Sequence, residues 1–356
     1  MTTAPKPLLL DELARPLREL RVSVTDRCNL RCTYCMPKSV FGPDHAFLPR
    51  GELLSPHELA QVVREFVALG VRKVRITGGE PQARGDLLYI VRALRGIDGI
   101  EDLAMISNGI GLDERKAQAL REAGLDRLTI SLDALDDARF RHINGMGVPV
   151  AKVLSGIEAA AQAGFTPLKI NVVVRRGAND ADVLPIARHF HGSGHIVRFI
   201  EYMDVGNSNG WRLDDVVPAQ EIIERIDAEL PLQALDANRR GEVAKRWRYR
   251  DGGGEIGVIS AVTQPFCQDC NRARLSADGR MYNCLFAADG LDLRTPLRAG
   301  DGADIKAMIR GYWTNRSERY SEQRSEHAET RIAPTIPVRE MRPVREQRVE
   351  MSYIGG

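Results

Sequence analysis

Apolar and polar positions follow two rhythms between Arg18 and Met203. Short runs rich in β-branched residues at 20–25, 73–77, 103–107, 127–132, 168–174 and 196–202 read as strands. Longer stretches between them carry helical periodicity. In 56–69, Ser55 and Glu58 form a capping box, and Leu59, Val62, Val63 and Phe66 make one apolar stripe. The stretches 86–94, 113–123, 150–163 and 180–190 behave similarly. Six βα units in succession predict an α/β fold with a parallel sheet, closed or curled like part of a β/α barrel. An open doubly wound sheet satisfies the same periodicity.

One more helix is expected over 218–229, and the rhythm then changes. Residues 244–249, 255–260, 274–277 and 280–284 read as antiparallel strands, the last pair joined by the turn Ala277-Asp278-Gly279. The organisation expected is a partial barrel with an N-terminal extension over 1–217, a smaller C-terminal module over 218–311, and an Arg- and Glu-rich tail over 312–356 that ends in Gly355-Gly356. The tail has little apolar periodicity, and its composition suits a solvated segment.

Composition narrows the function classes. The 356 residues hold 50 Lys+Arg against 48 Asp+Glu, a formal charge of +2, too balanced for a chain that coats nucleic acid. Any basic site is therefore local. No run approaches the roughly 18 apolar residues of a membrane span, and Leu8-Leu9-Leu10 before Asp11 is too short for a signal-peptide core. A cytoplasmic protein is expected.

The six cysteines fall into two trios, and in a long chain without an export signal they do not suggest disulfides. The first trio is Cys28-Asn-Leu-Arg-Cys32-Thr-Tyr-Cys35, directly after a strand. Three thiolates on one short loop can ligate three corners of a cubane iron–sulfur cluster and leave the fourth iron open, which implies chemistry rather than electron storage. Zinc is the alternative; it wants a fourth protein ligand, for which His45 is the candidate. The second trio, Cys267, Cys270 and Cys284, offers a second such cluster or a zinc ribbon completed by Asp269.

The C-x3-C-x-aromatic-C spacing, with Tyr34 in the aromatic place, resembles the radical S-adenosylmethionine (SAM) superfamily. That resemblance implies a partial (β/α)6-type barrel and a first [4Fe-4S] cluster. Its open iron would chelate SAM and cleave it to a 5′-deoxyadenosyl radical. Five further stretches narrow the resemblance: 20–28, Arg75-Ile-Thr-Gly-Gly-Glu80-Pro81, Arg198-Phe-Ile-Glu-Tyr-Met203, Phe266-Cys-Gln-Asp-Cys-Asn-Arg-Ala-Arg274 and the closing Gly-Gly. Together they resemble the GTP 3′,8-cyclases, which open molybdenum cofactor biosynthesis.

The narrower resemblance implies a second [4Fe-4S] cluster in the C-terminal module, with its open iron on the guanine base. It also implies an electron donor, a homodimer, and a cyclic pyranopterin monophosphate synthase acting next. Tyr34, Gly79, Ser131 and Met203 would meet SAM, although alone Gly78-Gly79-Glu80 reads as a turn and Met203 as core packing. GTP would lie against Arg21, Lys73, Arg75, Lys169, Arg198, Arg272 and Arg274, the forks and point charges a triphosphate needs. Period-2 geometry puts Lys73, Arg75 and Thr77 on one strand face. Inside a barrel such cations require an anion or a buried partner.

One position departs from the family's pattern: Ile106 stands where a substrate-contacting threonine is usual. The family pattern also gives the final Gly-Gly a place in the active site. His189, His191 and His195 read as a surface loop, and Gly252-Gly253-Gly254 lacks the Lys-Ser/Thr of a phosphate loop. Two other functions fit parts of the sequence. One is a radical SAM peptide or protein modifier with an auxiliary cluster; the other is a non-catalytic iron–sulfur or zinc protein.

Overall fold

A computed structural model of the chain describes residues 8–300, 304–329 and 348–355. Residues 330–347 of the expected tail, and Gly356, lie outside the described residues. Six parallel strands form in sequence order: β1 (Glu19–Ser23), β2 (Lys73–Thr77), β3 (Asp102–Ser107), β4 (Arg127–Ser131), β5 (Lys169–Val174) and β6 (Ile196–Glu201). Helices α1 (Pro56–Ala68), α2 (Leu87–Arg95), α3 (Glu114–Glu122), α4 (Asp137–Asn144), α5 (Ala151–Gln162), α6 (Val183–Phe190) and α7 (Ala219–Asp227) connect or follow them. Strands 1 to 6 neighbour one another in order, with no reversal, so the sheet lacks the switch point of a doubly wound fold. It is a singly wound sheet.

Strand periodicity divides the sheet's two faces. Leu20, Val22, Val74, Ile76, Leu103, Met105, Leu128, Ile130, Val197 and Phe199 are buried in one apolar layer with the helices. The alternate positions carry the charged and hydroxyl residues of the other face. Helix α1 begins with the expected capping box: Glu58 N donates to Ser55 Oγ at 3.2 Å and Ser55 N to Glu58 Oε2 at 2.8 Å.

The antiparallel strands of the C-terminal module do not build a sheet of their own. β7 (Leu232–Leu235), β8 (Lys245–Tyr249) and β9 (Glu255–Ile259) extend one edge, with β9 parallel to β6. β10 (Arg272–Leu275), β11 (Arg280–Tyr282) and β12 (Leu291–Asp292) extend the other, with β10 parallel to β1. The result is one open sheet of 12 strands among the described residues. Helix α8 (Arg294–Ala299) follows, and its Arg298 pairs with Glu58 of α1 at 2.6 Å.

Helix α4 has no counterpart in the expected elements. Its sequence is mostly polar and buries only Phe140, Ile143 and Asn144, so its stripe is faint; Asp136 caps it and the left-handed Gly145 ends it. Helix α9 (Ile305–Thr314) crosses the expected start of the tail, because Ile305, Ile309 and Trp313 make a buried stripe. Helix α10 (Tyr320–Glu329) and the single turn α11 (Met351–Ile354) follow; Ser321, Ser352 and Ile354 are buried, so the start of α10 and the turn α11 are packed rather than solvated. No helix among the described residues is long and apolar enough to cross a membrane.

Gly156 in α5 tests the packing. Its Cβ position falls on the carbonyl oxygen of Gly109, a backbone atom that cannot turn away. Gly156→Ala is expected to destabilise by about 2 kcal/mol, against the usual gain of about 1 kcal/mol for this change inside a helix. Gly311→Ala in α9, with open space around it, is the matched control and should raise the urea midpoint.

Candidate active site

The first cysteine trio sits on the loop leaving β1. Gly79 N donates to Thr25 O at 2.7 Å and Glu80 N to Arg27 O at 2.8 Å, so the end of β2 lies flat on the loop's entrance. A Cβ at Gly79 would fall on the Arg27 carbonyl. The close approach this glycine permits is therefore to the cysteine loop itself. Beyond it, Arg31 N and Thr33 N donate to Asn144 O and Ile143 O of α4, each at 3.0 Å. Arg31 also donates to the carbonyls of Cys28, Leu30 and Phe41.

The three thiols are close enough to feel one another. Burial raises the Cys32 thiol well above its ordinary value, and Asp133, Cys35 and Cys28 add to this. Burial also lifts Cys35, and it lifts Cys28 to about 11. Three half-buried sulfurs that resist ionising together suit a shared cationic metal group, which would supply the missing positive charge. Leu30 N donates to Cys28 Sγ at 3.4 Å. His45 is packed between Phe41 and Phe47, with ring centroids 4.6 and 4.7 Å away.

Around this loop stand the ends of other strands. Tyr34 donates its hydroxyl to Asp133 Oδ2 at 2.8 Å, two residues past Ser131 at the end of β4. Met203 follows β6 by two residues, and its carbonyl accepts from Asn209 Nδ2 at 3.1 Å. Tyr34, Gly79, Ser131 and Met203 thus share the C-terminal edge of the sheet. The buried Glu80 carboxylate joins β2 to β3, accepting from Gln82 N, Ser107 Oγ and Asn108 N at 3.1, 2.8 and 2.7 Å. Ser107 is committed to Glu80, and Ile106 lines the opposite face in register with Thr129. No hydroxyl stands at that position.

The second trio lies at the other end of the same strands. Cys270 precedes β10 by two residues, and β10 runs parallel to β1 with Arg272 opposite Glu19. The first trio follows the C-terminal end of β1, so the two trios flank a strand length of about 16 Å, at about 3.3 Å per residue. Cys270 Sγ accepts from Arg316 Nη2 at 3.1 Å and from Arg272 Nη2 at 3.4 Å. Burial raises this thiol, but Arg272 and Arg316 outweigh it and bring Cys270 to about 6. Burial lifts Cys284 to about 11, and Cys270 and Cys267 contribute. Asp269 faces away, paired with Arg240 at 2.7 Å.

Sequence reasoning missed what holds this loop. Arg15 donates to Cys267 O at 2.9 Å and Arg316 to Cys270 O at 2.8 Å, while the buried Asp11 pairs with both guanidiniums. About 300 residues separate the two arginines, so no local pattern links them.

Between the trios, the charged face of the sheet concentrates cations. Arg274, Arg21 and Arg75 align across β10, β1 and β2, one row beyond Arg272, Glu19 and Lys73. Lys169 and Arg198, on β5 and β6, extend the same face. Arg127 on β4 joins them and is neutralised by Asp102. Burial, then Arg75, brings Lys73 down to about 7; burial, then Arg198, brings Lys169 down to about 6. Burial also lowers Arg198 and Arg274 to about 10. Arg21 Nε, Arg75 Nε, Arg198 Nε, Thr77 Oγ1 and Asn171 Oδ1 are buried with no hydrogen-bond partner. So many unpaired polar atoms among cations on one face suit a polyanion.

The chain's end reaches this face. The buried Gly355, at φ +77, accepts from Arg274 through its carbonyl, and a Cβ there would fall on Thr77 Oγ1. The histidines lie elsewhere: His191 bonds the exposed Asp251 at 3.1 Å.

Comparison with known proteins agrees with this arrangement. Residues 22–190 match the radical SAM superfamily and 195–322 match Molybdenum Cofactor Synthesis C. The GTP 3′,8-cyclase of Acidothermus cellulolyticus is 52% identical, over 97% of this chain and 98% of its own length. That of Xanthomonas axonopodis pv. citri is 50% identical, over 99% and 100%. The fold is similar to that of Streptococcus suis SuiB, solved with S-adenosylmethionine bound, with TM-score 0.59 and 14% identity over 85% of this chain and 69% of that one. With half its residues shared along its whole length and both domains matched in order, the chain belongs to the GTP 3′,8-cyclase family of radical SAM enzymes.

Proposed function

We propose that the chain cyclises GTP to 3′,8-cyclo-7,8-dihydro-GTP. The observation that carries this reading is the cavity's row of buried cations with unpaired guanidinium nitrogens, set between two thiol trios. Arg21, Lys73, Arg75, Lys169, Arg198, Arg272 and Arg274 would hold the triphosphate by charge-assisted hydrogen bonds. Tyr34, Gly79, Ser131 and Met203 would hold SAM at the C-terminal edge. Thr77 to Arg75 is two residues and Gly79 to Arg75 four, about 7 to 13 Å along a strand, so the sugar would lie between triphosphate and SAM.

Cys28, Cys32 and Cys35 would bind one [4Fe-4S] cluster, and Cys267, Cys270 and Cys284 a second. When bound and reduced by an external electron donor, the first supplies the electron that cleaves SAM to methionine and the 5′-deoxyadenosyl radical. That radical would take the 3′ hydrogen of GTP, the C3′ radical would add to C8 of guanine, and a second electron from the external donor with one proton would complete the product. Arg272 and Arg316 keep Cys270 ionised beside the substrate cavity. A sugar held against this buried face would be kept from water, which would otherwise quench a carbon radical.

Anaerobically reconstituted protein with SAM, a reductant and GTP should form the cyclised product by mass spectrometry; intact GTP beside cleaved SAM would sink the assignment. Replacing the first trio by Ala should abolish SAM cleavage. Replacing the second should leave cleavage and impair GTP conversion.

The lysines give a pH signature. Burial and neighbouring cations bring Lys73 and Lys169 down to about 7 and about 6, far below the usual lysine range. A bound polyphosphate favours their charged forms and raises both values. Binding at pH 8 should therefore take up protons, and affinity should fall as pH rises above 7. Calorimetry with inorganic tripolyphosphate in buffers of different ionisation enthalpy reads this directly. Lys73→Gln with Lys169→Gln should remove the uptake.

A further inference from the structure

Buried carboxylates elsewhere in this protein are pinned by hydrogen bonds. Glu201 accepts from Ala219 N, Val262 N, Thr263 N and Thr263 Oγ1, and Glu80 is held by three donors as described. Glu19 is held differently. It opens β1 with 6% of its surface exposed, in register between Arg272 and Lys73. Its carboxylate faces Lys73 Nζ at 3.3 Å, Arg21 Nε at 3.6 Å, Arg75 Nη2 at 3.7 Å and Arg239 Nη2 at 3.9 Å, and its Oε1 accepts no hydrogen bond. These are the approaches of a shared counter-charge rather than of a bonded partner. Three of the four cations belong to the cavity's own array. The fourth, Arg239, is half-exposed and reaches in from the connection between β7 and β8.

We propose that Glu19 is the resident counter-ion of the empty substrate cavity, a carboxylate that neutralises Lys73, Arg21, Arg75 and Arg239 until a polyphosphate takes them over. This rests on reading the cavity as a polyphosphate site. A carboxylate tethered among its cations has a high effective concentration, so a small anion that touches one or two cations does not displace it. A triphosphate touches many at once. Glu19 then becomes a like charge beside the phosphates and lowers the affinity for every polyanion. The residue therefore sets a threshold: it keeps the empty array folded and reserves it for chelating polyphosphates.

The test compares wild type, Glu19→Gln and Glu19→Asp as full-length, anaerobically reconstituted proteins. Three readouts are used: thermal midpoints at low salt with and without inorganic tripolyphosphate, and dissociation constants for tripolyphosphate and for orthophosphate. Without ligand, Glu19→Gln should melt below wild type, and saturating tripolyphosphate should close the gap. Its tripolyphosphate affinity should tighten by about five- to tenfold, as loss of one nearby like charge would give, and orthophosphate should now bind. Glu19→Asp should stay close to wild type. A Glu19→Gln protein whose deficit persists with tripolyphosphate, or whose affinity is unchanged or weaker, makes Glu19 a structural residue and overturns the inference. Failure of wild type to bind tripolyphosphate overturns instead the reading of the charged face as a polyphosphate site.

Discussion

The constraint on which the rest of this structure depends is an excess of positive charge inside a protein. Unit charges about 6 Å apart repel by about 3 kcal/mol at an effective dielectric of about 20, and the charged face sets Arg274, Arg21 and Arg75 in register on three adjacent strands. The depressed lysines and arginines are the local sign of that strain. A chain that keeps such a face ordered must be stabilised elsewhere. Here the opposite face supplies it: every strand of the six-strand run lays its alternate residues into one continuous apolar layer under the helices.

The topology then decides what the charge is for. β1 lies between β2 and β10 and runs parallel to both, so three strands present their N-terminal ends together and their C-terminal ends together. One thiol trio leaves the C-terminal end of β1; of the other, Cys267 and Cys270 arrive just before β10, and Cys284 follows β11, which runs back antiparallel to β10. Any ligand neutralised by the cation rows lies between two sulfur sites. A polyanion held there has one end near each, without a moving domain to carry it across. The clamp of Asp11, Arg15 and Arg316 fixes the backbone carbonyls of Cys267 and Cys270, and the same Arg316 also donates to Cys270 Sγ, so backbone and sulfur of this loop are positioned by one group.

The sequence showed the parts that have local causes. Strand bounds fell within about two residues of expectation for the first six strands, because a buried strand facing helices writes its period into every second residue. Lys73, Arg75 and Thr77 share a face for the same reason. What could not be read has long-range causes. The pairing of β10 with β1 joins residues about 250 apart, and nothing in 272–275 says that its neighbour is the first strand rather than another strand of its own module. Arg316 and Arg15 look like ordinary surface charges until the fold buries them against one aspartate. Gly79 was legible as a place of close approach, yet the approach is to Arg27 of the same chain. Glycine signals that something comes near; it does not say what.

The C-terminal segment answers to the same charge. Asp204, one residue beyond Met203, accepts from Tyr320 at 2.5 Å and pairs with Arg324 and, at 3.1 Å, with Arg348. Glu350 takes Asn207 N and Ser208 Oγ at 3.0 and 2.9 Å, and Val349 N donates to Ala287 O, three residues past Cys284. The segment is thus tied at once to the loop after β6 and to the loop of the second trio. Tying both sides lowers the entropic cost of holding the last residues in one place. What they deliver is a single carbonyl, that of Gly355, to Arg274. An unpaired guanidinium at that depth is costly, and a backbone oxygen is the mildest acceptor the chain can offer: it orients the arginine without neutralising it. Glu19 balances charge on one side of the array and Gly355 fills hydrogen-bonding capacity on the other. The cations between them stay ordered and still short of anions, the two properties that capture of a polyanion requires.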